Sequence, residues 1–225
     1  MLRRLRDVVA ELEADLPGAV VVTGGGRVFA AGADIGEFGG PGEARVVGAA
    51  FREALDALAA LPRMTIAAVA GYALGGGCEL ALACTLRTAS TSAKLGLPEV
   101  GLGIIPGYGG TQRLARLAGA GVALEWILTG DMIPAEEAHR VGVINKLFAP
   151  EELAAGTRAL LDRILSTGPV AVRLAMETVR RGLNMSQQEG EVIETDMFGL
   201  ASTTADMREG MAAFLEKRKP RFEGR

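Results

Sequence analysis

Two carboxylates, Glu79 and Glu99, stand in apolar, glycine-rich stretches: AVAGYALGGGCELALAC from Ala68 to Cys84, and KLGLPEVGLGIIPGYGGTQR from Lys94 to Arg113. Carboxyl groups are proton-moving groups, and their usefulness depends on an environment that sets their protonation state. Glu79 follows three glycines and Cys78 and precedes LALAC, so it falls in the first turn of a helix whose other residues are nearly all apolar. A charge taken out of water there needs a compensating hydrogen bond or a catalytic reason. A structural alternative for Glu79 is a charge that complements the helix dipole, which requires no interior position. Taken alone, Glu99 after Pro98 reads as a solvated loop residue.

The elements that must position this pair follow from periodicity. Leu2, Leu5, Val8, Val9 and Leu12 recur at helical spacing until Pro17 and Gly18 stop the run. AVVVTGGG then reads as a buried strand ending in a turn. FAAGADIGE, residues 29 to 37, lacks the spacing of a dinucleotide fingerprint, and no Gly-Lys-Ser or Gly-Lys-Thr follows as in a P-loop. Residues 38 to 42 read as a flexible link, and 43 to 61 as a second amphipathic helix. TIAAVAGYALGGG supplies a strand and turn before the helix of Glu79. Arg87 to Thr91 and Lys94 to Pro98 read as short extended segments, and Thr111 to Leu117 as a helix entered through GYGG.

Helix, strand and glycine turn therefore recur at intervals of roughly forty residues, as in a stacked or spiral α/β repeat. Further on, PAEEAHR reads as a helix with Pro134 in its first turn, VGVINKLF as a short strand, and 150 to 165 as a helix. Residues 169 to 225 carry only helical signals, at 169 to 182, 186 to 200 and 204 to 218. The organisation expected is a core over 1–168 and an all-helical region over 169–225. The latter is too small for a good core of its own and so should pack on its own core or on a neighbouring subunit.

The chain has 225 residues, 49% of them hydrophobic, enough for one large core with an appendage. A formal charge of -3 and a pI near 5.4 argue against a general nucleic-acid binder. No apolar run is long enough to cross a membrane, and MLRRLRDVVAELEADL has no signal-peptide pattern, so a soluble cytoplasmic protein is expected. Cys78 and Cys84 point to different faces of one helix, which opposes a disulfide. A single histidine, His139 in a charged stretch, leaves no basis for a zinc cluster or a Ser-His-Asp triad.

Four motifs in order resemble the enoyl-CoA hydratase branch of the crotonase superfamily: FAAGADI at 29–35, AVAGYALGGGCELALAC at 68–84, LGLPEVGLGIIPGYGGTQRL at 95–114, and ADMREGMAAFLEKRKPRF at 205–222. The resemblance implies an α/β fold, the ClpP/crotonase spiral of β-β-α repeats with a helical C-terminal trimerisation region. It also implies a CoA thioester as substrate, with no separate cofactor or metal. Assembly into homotrimers or pairs of trimers is implied as well.

Residue by residue, the resemblance places the oxyanion-hole amides at Ala33 and Gly76 and the water-flanking acids at Glu79 and Glu99. Gly107 corresponds to a backbone group that helps hold the water, and Ala31, Asp34 and Ile35 fall beside the substrate. Phe198 corresponds to an aromatic near the adenine of a neighbouring subunit's CoA, and Lys217 to a lysine near the 3'-phosphate. Small residues suit amides that must approach a developing enolate oxygen, and one such donor lowers a barrier by about 3 kcal/mol. Singly, each glycine turn could merely close a strand, and the basic stretch from Lys217 to Arg221 could be a solvated end.

Family members usually open with two strands bearing motifs like NRP and NAL, and this sequence starts at the helix that follows. By analogy roughly thirty residues are absent, which would expose a strand edge and remove part of the nucleotide pocket. Retention of both glutamates favours reversible hydration of a trans-2-enoyl-CoA to a 3-hydroxyacyl-CoA. Two alternatives stand beside it: a related enzyme such as an enoyl-CoA isomerase or methylglutaconyl-CoA hydratase, and a non-catalytic assembly protein on the same scaffold.

Overall fold

The computed structural model describes residues 2–32 and 41–225. It divides into two compact units, Met1–Thr157 and Arg158–Arg225.

In the first unit, helix α1 (Leu2–Ala14) leads into strands β1 (Ala19–Thr23) and β2 (Val28–Ala30), then helix α2 (Pro41–Ala60). The pattern recurs as β3 (Met64–Val69), β4 (Tyr72–Leu74) and helix α3 (Gly76–Ala83), and again as β5 (Leu86–Ser90), β6 (Lys94–Gly96) and helix α4 (Gly110–Ala118). Helix α5 (Ala120–Thr129), β7 (Ile133–Pro134), α6 (Ala135–Arg140) and β8 (Lys146–Phe148) complete it.

The first strand of each repeat joins one sheet and the second joins another. The orders are β1-β3-β5-β8, all parallel, and β2-β4-β6-β7, parallel except for the antiparallel β7. This is the expected α/β spiral of β-β-α repeats. Every residue of β3 is buried, as a parallel strand covered on both faces requires. The core runs through Phe51, Leu55 and Leu58 of α2, Val69, Leu82, Leu95, Leu97, Leu114 and Trp126.

TIAAVAGYALGGG forms two strands in two sheets instead of the single strand expected. Gly71 permits the break: a β-carbon there would lie 2.0 Å from the carbonyl oxygen of Arg27, so the chain passes β2 with no room for a side chain. The strand Val28–Ala30, at three residues, is too short to show a usable periodicity in the sequence. VGVINKLF is extended only over Lys146–Phe148, and Pro41 and Gly42, expected in a link, already belong to α2.

Helix α7 (Leu153–Leu165) crosses from the first unit to the second, which contains α8 (Pro169–Gly182), α9 (Gln187–Ser202) and α10 (Ala205–Leu215). α9 starts with a capping box in which Ser186 and Glu189 satisfy each other's backbone N–H groups. Val179, Leu183, Val192, Phe198, Met211, Phe214 and Leu215 are exposed in this chain.

Candidate active site

The turn between β4 and α3 is built from backbone. Gly75 donates its N–H to the carbonyl of Gly96 and accepts at its own carbonyl from the N–H of Glu79. Its φ of +51° favours glycine, and a β-carbon would stand 3.1 Å from Oε1 of Glu99. Gly77 approaches β2 so closely that a β-carbon would lie 2.0 Å from the carbonyl oxygen of Ala30. Together these contacts fix where α3 begins and therefore where Glu79 points.

Glu79 is fully buried. Its Oε1 accepts two backbone hydrogen bonds, from the N–H of Tyr108 and the N–H of Gly110, each at 2.7 Å. Its Oε2 is buried and has no hydrogen-bond partner among the described residues. Burial pushes the Glu79 carboxyl above the usual carboxylate range, while the two amides and the Arg113 charge pull it back toward the ionised form.

Glu99 lies in a short 3-10 turn, Pro98–Leu102, and is partly buried. Its Oε2 is likewise buried and unpartnered among the described residues. Burial raises its carboxyl to about 7, and the Glu79 charge adds to the rise. Glu99 is thus half-sheltered and in electrostatic reach of Glu79, unlike the solvated loop residue that its place after Pro98 suggests when taken alone.

The loop that feeds amides to Glu79 is itself held. The Tyr108 ring stacks on Phe51 of α2 with centroids 4.6 Å apart. Arg113 donates from Nη1 to the carbonyl of Tyr108 at 2.8 Å and pairs through Nη2 with Asp56 of α2. Tyr108, Gly110, Arg113, Asp56 and Phe51 were not among the expected site residues. The GYGGTQR motif pointed to the loop, but which of its amides meets Glu79 depends on long-range packing that spacing does not encode.

Gly76 is the first residue of α3, so its N–H has no acceptor within the helix. Gly32, with φ +108°, sits against this turn: a β-carbon on it would be 3.9 Å from the Gly76 nitrogen. Ala31 precedes it and is exposed. Ala33, Asp34 and Ile35 lie outside the described residues. Gly107 is exposed and adjoins Tyr108, with its carbonyl toward Gly48 of α2. Phe198 and Lys217 belong to the second unit, where both are exposed. Lys217 has φ +55° and follows the C-cap of α10, donating its N–H to the carbonyl of Phe214 while Arg218 donates to Ala213.

Both cysteines are free and buried, and His139 is exposed with Nδ1 at 2.8 Å from the carbonyl of Ile144. Among the described residues no group of three or more His, Cys, Asp or Glu side chains is disposed to hold a metal ion.

The sequence profile of the enoyl-CoA hydratase/isomerase family matches residues 1–225. The chain belongs to this family. Among curated enoyl-CoA hydratase relatives, crotonyl-CoA hydratase of Syntrophomonas wolfei is 48% identical over 206 residues, which cover 90% of this chain and 79% of that protein. Short-chain-enoyl-CoA hydratase of Clostridium acetobutylicum is 43% identical, over 97% of this chain and 85% of its own length. The crystal structure of enoyl-CoA hydratase from Bacillus anthracis superposes with a TM-score of 0.94 at 38% identity, over 100% of this chain and 88% of that one. An enoyl-CoA hydratase/isomerase fold therefore carries the Glu79 and Glu99 arrangement.

Proposed function

We propose that the protein catalyses reversible addition of water to a trans-2-enoyl-CoA, giving a 3-hydroxyacyl-CoA. The observation that carries this reading is the pair of buried carboxylate oxygens, Glu79 Oε2 and Glu99 Oε2, without a hydrogen-bond partner among the described residues. Buried acceptors without partners cost about 1–3 kcal/mol each, so they are retained where a reactant supplies the missing bond. One water shared between the two acids is the reactant of the right size and valence.

Hydration is redox-neutral, so it asks of the protein only an acid, a base and stabilisation of enolate charge; the CoA thioester is the substrate and no further cofactor enters. The amides of Ala33 and Gly76 hold the thioester oxygen, the latter reinforced by the N-terminal end of α3. Water, steadied by Gly107, attacks the β-carbon and gives its proton to the ionised Glu79. Glu99, protonated, delivers a proton to the α-carbon. Water is consumed, a C–O and a C–H bond form, and the two acids exchange protonation states, which proton transfer between them restores. The assignment of base and acid follows the environments: burial raises both carboxyls, but two amides and Arg113 pull Glu79 back toward the anion, whereas the Glu79 charge raises Glu99 further.

On this reading Ala31 serves the acyl-CoA, as the resemblance implies for Asp34 and Ile35 also; Phe198 serves the adenine of a neighbouring subunit's CoA, and Lys217 a 3'-phosphate. Lys217 holds a left-handed backbone that glycine would adopt more cheaply, a cost that suits a side chain retained for phosphate. The helical region 169–225 forms the self-association surface, which accounts for its exposed apolar side chains. No helix among the described residues is long and apolar enough to cross a membrane. On this reading the enzyme works in the cytoplasm, on CoA thioesters available there. Incubation with crotonyl-CoA tests the reading: loss of enoyl absorbance with appearance of 3-hydroxybutyryl-CoA supports it, and an unchanged substrate across chain lengths removes it.

A further inference from the structure

The loop Gly107–Gly110 carries three peptide groups in a row. The first and third donate to the same oxygen, Glu79 Oε1, through the N–H groups of Tyr108 and Gly110. The middle one turns its carbonyl, that of Tyr108, the other way, onto Nη1 of Arg113 at 2.8 Å. With glycine at 107, 109 and 110, and Gly109 at φ +103°, the loop has little stiffness of its own. Its geometry must be imposed from outside.

We propose that Arg113, bridged to Asp56, is a positioning residue that locks the Tyr108 carbonyl and thereby holds the two-amide cradle of Glu79 in register. The proposal rests on the hydratase reading for its catalytic consequence, and on the contacts alone for its structural one. The guanidinium packs directly over Gly109, where a β-carbon would lie 2.4 Å from Nη1. Its other arm is taken by Asp56, whose second oxygen faces Arg52 at 3.4 Å. Phe51, stacked on Tyr108, and Gly48, 3.8 Å as a virtual β-carbon from the Gly107 carbonyl, come from the same helix. Residues 48, 51, 52 and 56 share one face of α2, which grips the loop along its length.

Ion-pair energy alone gives no reason for this arrangement. The Asp56 side chain is 51% exposed, and a pair that open to solvent contributes little stability. What the pair supplies is geometry: a fork fixed at both ends, one end on a peptide group. The titratable and charged groups around Glu79 are Glu99 on the 3-10 turn, the neighbouring neutral thiol of Cys78, Arg113 on α4, and Asp56 on α2 behind Arg113. Arg113 is the cation acting on Glu79 and also the support of its two amide donors, so its loss removes both influences that favour the anion.

The test uses the full-length chain carrying Arg113→Met, Arg113→Lys or Asp56→Asn, with crotonyl-CoA as the probe and two readouts. In steady-state kinetics, Arg113→Met is expected to lower kcat about thirty- to a hundredfold with KM nearly unchanged, in line with the cost of misplacing a reacting group by about 1 Å. Its acidic limb moves to higher pH, and Arg113→Lys and Asp56→Asn fall between it and the parent. In hydrogen exchange, which needs no activity, the amides of Tyr108 and Gly110 lose at least tenfold protection in Arg113→Met while those of β3 do not. Unchanged exchange at these two amides in a folded variant overturns the proposal, even if the parent proves not to hydrate any enoyl-CoA. Lost exchange protection with an inactive parent upholds the positioning and removes the hydratase reading. Should Arg113→Met fail to fold, Arg113→Lys and Asp56→Asn decide by the same two readouts.

Discussion

A β-carbon on Gly110 would stand 2.9 Å from Oε1 of Glu79, the same oxygen that the Gly110 N–H meets at 2.7 Å. The amide can approach the carboxylate only because residue 110 has no side chain. Gly110→Ala must therefore push the carboxylate or the loop aside. The expected outcome is a fall in kcat of about a hundredfold, with a stability loss of about 1–3 kcal/mol from overpacking. Steady-state kinetics beside urea unfolding separate the two effects, and an alanine variant with parental kcat would mean that this contact does not position Glu79.

The pH dependence follows from the environments of the two acids. With Glu99 as the proton donor, activity should fall as pH rises through about 7, the position to which burial and Glu79 raise its carboxyl. An acidic limb belongs to protonation of Glu79, itself raised by burial. The limbs describe the pair and not isolated residues. For stability the sign is the same: Glu99 titrates from 4.5 when unfolded to about 7 when folded, so its contribution is full below pH 4.5 and is lost as pH rises through about 7. A pH–kcat profile is expected to be bell-shaped, and one that stays flat from pH 6 to 9 would contradict the assignment of Glu99.

Arg87 supplies a prediction about the support of α3. It is 2% exposed, and its guanidinium donates to the carbonyls of Val143 at 2.6 Å and Cys84 at 2.7 Å, the latter at the end of the helix that carries Glu79. Arg87→Met keeps volume but orphans these carbonyls, at about 1–3 kcal/mol for each one left unpaired in the interior. The urea midpoint should fall accordingly, while the variant that remains folded keeps most of its kcat. No change in midpoint would show that water takes over both carbonyls.

Self-association is expected from the second unit. Val192 is 60% and Phe214 84% exposed in the single chain. Light scattering should give a mass of three or six chains, and Val192→Glu with Phe214→Glu should lower it. A parent that remains a monomer at micromolar concentration would remove the proposed assembly.

How much of this was legible beforehand differs by feature. The helices over 43–61 and 169–182 were readable because their apolar periodicity is long. The position of Glu79 in a first helical turn was readable because three glycines abut an apolar run. The two strands within TIAAVAGYALGGG were not, since a break that depends on Gly71 passing the Arg27 carbonyl is a tertiary fact. At the site, Glu79 and Glu99 could be picked out by residue type and setting. The double amide grip on Glu79 could not, because the carboxylate and its donors lie 29 and 31 positions apart. Ala33, Asp34 and Ile35 fall outside the described residues.

The most direct test of the proposed chemistry is the initial rate of crotonyl-CoA hydration by the parent, Glu79→Gln, Glu99→Gln and the double variant, each with its thermal midpoint. Glutamine keeps the shape of each side chain and removes its ability to exchange a proton. If the two carboxyl groups work on one water, each single variant should lose at least about a hundredfold in kcat, the range of one acid or base. The double variant should lose far less than the product of the two, because they act as a unit. Single variants that retain parental rates while folded would contradict the central claim.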